Sequence, residues 1–156
     1  MERYPAVCKS AGKGLTPLFD CFFIDFNCII HTAVRAVSGG GDENQMEIIS
    51  EVLRFTDVLV QIIQPKKLLY IAVDGPAPFA KSSQQRQRRF VGKSNPDPAT
   101  GFSKNSISVG TSFMELLNQQ IIEFIHDRIN NDETWSIPKV IYDSHRTPGE
   151  SEQKNI

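Results

Sequence analysis

The fold is indicated first by the stretch FDCFFID, residues 19–25, an apolar run that ends in a carboxylate. A second continuous apolar run extends from Leu68 to Val73 and is followed by Asp74. A third short strand is predicted from Lys139 to Tyr142. Continuous apolar runs of this length are typical of strands that are buried on both faces of a sheet.

Helices are predicted between these strands. Asp42 and Gln45 have the spacing of a capping box, and the apolar helix face that follows them ends at Pro65. Ser112 and Glu115 have the same spacing at the start of another helix. The alternation of strand and helix predicts an α/β fold, with a parallel-type sheet that is covered by helices on both faces.

Length and composition fit one soluble domain. The chain has 156 residues, of which 40% are hydrophobic and 22% charged, and its formal net charge is −1. No apolar run approaches the ~20 residues of a membrane span, and no signal peptide opens the chain.

The three cysteines form no C-x-x-C pair, which indicates reduced thiols and an intracellular protein. A zinc site at Cys28 and His31 would lack a second pair of ligands. We favour a cytoplasmic over a nuclear location.

Acidic residues follow the predicted strands. Ligands of parallel α/β folds bind outside the carboxyl ends of the strands. This rule places Asp25, Asp74 and the loop that holds Glu150 and Glu152 on one edge of the sheet. A single carboxylate at a strand end is usually explained as a helix cap or as a solvated turn residue. Several together repel one another, and a divalent cation relieves the repulsion. Hard oxygen ligands predict magnesium or manganese. Two such ions could activate a water and stabilise the leaving oxygen in the cleavage of a phosphodiester.

Basic residues are concentrated in the middle of the chain. Residues 66–104 hold eight basic and two acidic residues, whereas the rest of the chain holds nine and sixteen. Within this segment, one face of a predicted helix would carry Lys81, Gln85, Arg88 and Arg89. Arginine and lysine side chains suit a terminal phosphate. A solvated basic helix or a nuclear-localisation-like run would give the same pattern. We favour phosphate binding because a predicted acidic strand end comes shortly before.

Four blocks of the sequence carry a family resemblance. They read FIDFNCIIH (23–31), AVDGPAPFAK with QQRQRRF (72–90), FSKNSI with GTSFM (102–114) and TPGESE (147–152). In sequence and order they resemble the 5′-to-3′ exoribonucleases, a family with cytoplasmic and nuclear branches. The chain is similar to the amino-terminal nuclease domain of that family over nearly its whole length, so residues 1–156 are expected to form part of such a domain.

The resemblance implies a role for each candidate residue. The implied catalytic residues and ligands of Mg²⁺ or Mn²⁺ are Asp25, Asp74, Glu150 and Glu152. The implied ligands of an RNA 5′-monophosphate are Lys81, Gln85, Arg88 and Arg89. His31 would stack near the first nucleotide. The implied substrate is single-stranded RNA with a 5′-monophosphate, hydrolysed to nucleoside monophosphates during mRNA decay. Capped or triphosphorylated ends would be excluded by size.

The chain departs from the family pattern at three positions and at both ends. Cys28 and Ser151 stand where the family has glycines, and Gln153 stands where it has a histidine. If the glycine at position 151 needed a positive φ, a serine there would cost about 1 kcal/mol or more. The family's opening segment is absent from this sequence, and so are the aspartates beyond the acidic loop, as we call residues 147–152. We therefore expect an incomplete metal site, or one that a partner chain completes.

Three functions are compatible with these features. The first is a nuclease module, and the second is a non-catalytic or partner-dependent module that binds 5′-phosphorylated RNA. The third is a phosphatase with Asp25 as nucleophile in a D-x-D-like motif, against which Asn27 argues because the second aspartate is missing. We expect the isolated chain to be a poor exonuclease. We also expect exposed apolar surface that lowers its solubility or makes it depend on a partner.

Overall fold

The computed structural model describes residues 18–37, 44–78, 81, 83, 87 and 102–154. In chain order, the elements of this part are β1 (Cys21–Asp25), α1 (Phe26–Ala36), α2 (Gln45–Ile63), β2 (Leu68–Ala72), α3 (Ser112–Asn131), β3 (Lys139–Asp143) and α4 (Ser151–Lys154). Two 3₁₀ turns, Lys104–Ser106 and Glu133–Trp135, flank α3. Within these ranges, no helix is long and apolar enough to cross a membrane.

The three strands form one parallel sheet in the order β1-β2-β3. The register sets Asp25 beside Ala72 and Ala72 beside Asp143, so the strands end level with one another. The predicted α/β class, with a parallel sheet packed by helices, is confirmed. Because all three strands run in the same direction, their carboxyl ends meet at one edge.

One face of the sheet belongs to the main hydrophobic core. Ile24, Leu69 and Ile71 are buried there together with apolar residues of α1, α2 and α3. Successive side chains of a strand point to opposite faces. Phe23 and Tyr70, whose ring centroids lie 5.9 Å apart, therefore occupy the other face. Packing of the long helices on the first face holds the strands, and with them the carboxyl edge, in place.

The helix ends follow local signals, with one correction. Helix α2 stops before Pro65, as predicted. Asp42, the predicted cap of α2, lies outside the described residues. Helix α3 is capped by Thr111 and not by Ser112, because Thr111 has an extended backbone and its hydroxyl accepts a 3.4 Å hydrogen bond from the Met114 amide. The first residue with helical geometry is thus Ser112, one position earlier than predicted.

Trp135 anchors the end of α3 in the core. Its side chain is fully buried. The ring packs edge-on against Phe124 at 5.5 Å between centroids, and Nε1 donates a 3.0 Å hydrogen bond to Asp57 Oδ1. His126 is exposed on the surface of α3. The polar tip of the tryptophan is satisfied, so its burial costs no unpaired donor.

Candidate functional site

Two aspartates stand at the carboxyl edge of the sheet. Asp25 is the last residue of β1, and Asp74 comes two residues after the end of β2. Asp25 is also the N-cap of α1, since its Oδ1 accepts a 3.1 Å hydrogen bond from the Asn27 amide. A strand-end carboxylate is often such a cap, and here the capping bond also fixes the orientation of the Asp25 side chain.

The acidic loop reaches both aspartates through Ser151. The Ser151 hydroxyl donates to Asp25 Oδ1 over 2.8 Å, and the Ser151 amide donates to Asp74 Oδ1 over 2.7 Å. This serine is 2% exposed and is the first residue of α4. Because it lies between Glu150 and Glu152, the segment that carries both glutamates is brought to the edge that holds the aspartates.

Ser151 does not have the positive φ that would have made a serine unfavourable at this position. Among the described residues other than glycine, only Gln64 has a positive φ, of 46°. The left-handed conformation falls instead on Gly149, with φ 115°. Gly75 is required for a different reason, since a Cβ at this position would lie 1.7 Å from the backbone oxygen of Thr147. The loop after β3 and the end of β2 therefore approach each other too closely for a side chain at position 75.

The two glutamates have different surroundings. The Glu150 side chain is 13% exposed and accepts a hydrogen bond from the Lys81 ammonium. Glu152 is exposed. Within the part of the chain that the structure describes, no three His, Cys, Asp or Glu side chains lie close enough together to hold a metal ion. In this arrangement, the positive charge beside Glu150 comes from Lys81.

Cys28 adds a thiol to the surroundings of Asp25. Its Sγ donates a 3.4 Å hydrogen bond to Asp25 Oδ2. This bond is the largest cause of a raised pKa of the Cys28 thiol, and burial and the charges of Asp25, Asp74 and Glu152 act in the same direction. The thiol is thus protonated at neutral pH in this arrangement. Asp25 thus accepts a hydrogen bond from Ser151 at Oδ1 and one from Cys28 at Oδ2.

Lys154, the last residue of α4, is buried at the same edge. Its side chain is 4% exposed. The ammonium donates to the carbonyl oxygens of Val73 and Ser144, each over 2.9 Å, and to Asp143 Oδ1 over 3.2 Å. Burial would raise the pKa of Asp143, but hydrogen bonds from Thr147 and Lys154 outweigh it and lower the pKa. The carboxylate is therefore ionised opposite a buried cation.

Neither Lys154 nor Asp143 was predicted from the sequence. Asp143 carried a usable signal, because it ends β3 as Asp25 ends β1. Lys154 carried none, since lysine is seldom buried and two of its acceptors here are backbone carbonyls. The rule that places ligands at strand ends could therefore have predicted Asp143, but it could not have predicted Lys154.

A second polar cluster joins α3 to the loop after β3. Glu115 Oε2 accepts a 2.5 Å hydrogen bond from Arg146, and Glu115 Oε1 lies 3.1 Å from Nε2 of His145, which is 1% exposed. The bond from Arg146 is the main cause of a lowered Glu115 pKa. The predicted capping role of Glu115 is thus corrected, because the helix is capped by Thr111 and Glu115 binds the loop instead.

The predicted phosphate ligands are described only in part. Lys81 is exposed and contacts Glu150. Gln85, Arg88 and Arg89 lie outside the described residues. His31, the residue expected near the first nucleotide, is exposed on α1.

These features define an α/β protein with a carboxylate-rich edge on a parallel sheet. A family model described as XRN 5′-3′ exonuclease N-terminus matches residues 1–156. The chain therefore belongs to this family, as the four sequence blocks indicated.

Curated relatives give the same result. The chain is 34% identical to 5′-3′ exoribonuclease 1 of Saccharomyces cerevisiae, 36% to that of Schizosaccharomyces pombe and 33% to that of Homo sapiens. Each match covers 98% of this chain, but only 11%, 13% and 10% of the respective relative. The chain thus spans about a tenth of the length of these relatives.

Proposed function

We propose that this chain is an amino-terminal nuclease segment of a 5′-to-3′ exoribonuclease. It binds single-stranded RNA with a 5′-monophosphate and, with Mg²⁺ or Mn²⁺, hydrolyses it to nucleoside monophosphates. The observation that carries the proposal is the junction at Ser151, which joins the acidic loop to Asp25 and Asp74. Ligands bind at this edge in parallel α/β folds. Lys81, beside Glu150, adds a cation suited to a phosphate.

The donor atoms at this edge fit a hard divalent cation, because carboxylate oxygens are the preferred ligands of magnesium and manganese. The residues that would hold it are Asp25, Asp74, Glu150 and Glu152. Hydrogen bonds from Ser151 and Cys28 already orient Asp25, as outer groups commonly do for metal ligands. A bound ion would supply a Lewis acid for the attacking water and for the leaving oxygen.

Preference for a phosphorylated RNA end would come from Lys81 together with Gln85, Arg88 and Arg89. A charge-assisted hydrogen bond to a phosphate contributes ~1.5–3 kcal/mol, which corresponds to roughly tenfold or more in affinity. A pocket for one phosphate would also exclude capped and triphosphorylated ends. His31 is proposed to stack near the first nucleotide.

One observation favours a partner-dependent form of this function. Among the described residues, no group of three His, Cys, Asp or Glu side chains comes close enough together to share an ion. Loss of one of two ions removes several kcal/mol of transition-state stabilisation, and each 1.36 kcal/mol is tenfold in rate. We therefore expect the chain alone to bind RNA ends but to hydrolyse them slowly. Free thiols at Cys21 and Cys28 support an intracellular location, and we propose the cytoplasm.

The test combines binding and hydrolysis. Fluorescence anisotropy with matched 5′-monophosphate and 5′-hydroxyl oligoribonucleotides should give at least about tenfold tighter binding of the phosphorylated end, and Lys81→Met should reduce this preference. Lys67→Met is the matched control, because Lys67 also pairs with a carboxylate, Asp20, but at the amino end of the strands. Calorimetric titration of Mn²⁺ should show weaker binding by Asp74→Ala than by wild type.

Two results would contradict the proposal. Equal affinity of the wild type for both RNA ends would leave only a nonspecific basic surface. Identical Mn²⁺ titrations of wild type and Asp74→Ala would remove the metal site. Release of mononucleotides from labelled RNA by the chain alone, abolished in Asp25→Ala, would show a complete enzyme without a partner.

A further inference from the structure

The one-turn helix α4 is held at both of its ends. At its start, Ser151 donates hydrogen bonds to Asp25 and Asp74. At its end, the ammonium of Lys154 binds the ends of two strands. A single turn of four residues has no stability of its own, because the nucleation of a helix is unfavourable. The position of α4 therefore depends on these contacts.

All three hydrogens of the Lys154 ammonium have an acceptor in this position. An ammonium has three hydrogens to donate, and the three acceptors are the Val73 carbonyl, the Ser144 carbonyl and the Asp143 carboxylate. A charge that is 4% exposed is tolerated only when it is paired and hydrogen-bonded. Val73 directly follows β2 and Asp143 ends β3. One side chain thus joins two strand ends to α4, through acceptors that are not themselves proposed metal ligands.

We propose that Lys154 is a positioning residue of the acidic site, with Asp143 as its counter-charge. The inference rests on the proposed function of this edge. By holding α4 on the ends of β2 and β3, Lys154 keeps Ser151 bonded to the aspartates and keeps the segment with the two flanking glutamates at the same edge. Outer groups that orient metal ligands typically change metal affinity by about ten- to hundredfold.

Removal of Lys154 alone would change position and charge together. The loss of a positive charge near carboxylates favours cation binding, which opposes the expected positional loss. A double variant, Lys154→Met with Asp143→Asn, removes both members of the ion pair and leaves the net charge unchanged. This variant therefore isolates the effect of position. The matched control is Lys67→Met with Asp20→Asn, which removes an exposed ion pair at the amino end of the same sheet.

The measurement is Mn²⁺ affinity by electron paramagnetic resonance, on protein that circular dichroism shows to be folded. We expect the double variant to bind Mn²⁺ about ten- to hundredfold more weakly than wild type, and the control to match wild type. Hydrogen exchange of the Ser151 amide should also accelerate relative to core amides of α3. A lysine that only stabilises the fold would lower the urea midpoint without changing either of these two values.

A variant with smaller disruption keeps the test decisive if the double variant does not fold. Lys154→Gln retains hydrogen-bond donors but loses the charge, so any loss of Mn²⁺ affinity reports position, because the charge change acts in the opposite direction. Unchanged or tighter Mn²⁺ binding by the folded variants would overturn the positioning role and leave the metal site intact. Absence of Mn²⁺ binding by wild type would instead overturn the proposed site and the inference together.

Discussion

Asp25 accepts three hydrogen bonds with one carboxylate. Its Oδ1 accepts from the Asn27 amide and the Ser151 hydroxyl, and its Oδ2 accepts from the Cys28 thiol. A carboxylate oxygen has two lone-pair positions. Oδ1 is therefore fully used by the protein, and the weaker thiol bond leaves Oδ2 as the oxygen that a cation can approach. A cation bound at this edge as proposed would therefore approach Asp25 through Oδ2.

Ser151→Ala should lower the free energy of unfolding by about 1.5–3 kcal/mol, because the buried hydroxyl donates to a charged acceptor. Urea denaturation measures this change. Ser136→Ala, at an exposed serine, is the control and should stay within about 0.5 kcal/mol of wild type. Equal urea midpoints for the two variants would show that the bond from Ser151 to Asp25 does not stabilise the fold.

At the scale of elements, the acidic loop is fixed from two sides. Helix α4 holds the end of the loop to the strand ends. On the other side, Glu115 of α3 binds Arg146 and His145, which come just before the loop. The pKa of Glu115 is lowered mainly by the hydrogen bond from Arg146. A depressed folded-state pKa means that the contact stabilises the fold above the unfolded-state pKa and is lost as the pH falls through the folded-state pKa.

Glu115→Gln should therefore flatten the acid side of the stability profile. Between about pH 6 and about pH 3, the urea midpoint of wild type should fall more steeply than that of the variant, because only wild type must protonate this carboxylate. Glu123→Gln, on the exposed side of the same helix, serves as the control and should follow wild type. Parallel profiles for wild type and Glu115→Gln would rule out the contribution of this contact.

The elements that the sequence predicted well are those that local chemistry determines. The strand ends at Asp25 and the stop before Pro65 follow from apolar runs and from the missing amide of proline. The cap of α3 was placed one residue late because Thr111 and Ser112 are both good caps, and only the backbone conformation decides between them. Lys154 could not be predicted, since its acceptors lie at the ends of two strands that are distant or separate from it in the chain.

At the scale of the whole molecule, strand β1 forms one border of the sheet that the described residues build. On β1, Phe23 is 47% exposed, and in the segment just before the strand Phe19 is 38% and Leu18 86% exposed. Strands at a sheet border present unpaired backbone groups to other chains. The apolar surface expected from the sequence is thus present in the described residues, and it lies where association is easiest.

Phe23→Lys should reduce self-association, because a charged side chain at a border strand opposes strand pairing. Static light scattering over a concentration series measures the change. Ile129→Lys is the matched control, since Ile129 has the same 47% exposure but lies on α3. An equal effect of both variants would mean that exposed apolar area in general, and not the border strand, causes association.

The contact between Lys81 and Glu150 joins a proposed phosphate ligand to a proposed metal ligand. A cation that takes Glu150 would release the ammonium to an RNA phosphate, and a phosphate that takes Lys81 would free the carboxylate for a cation. Each ligand should then raise the affinity of the other by the same factor. Mn²⁺ titrations with and without 5′-phosphorylated RNA measure this factor, which should shrink in Lys81→Met and persist in Lys67→Met. The RNA end and the metal ion would thus act as effectors of each other.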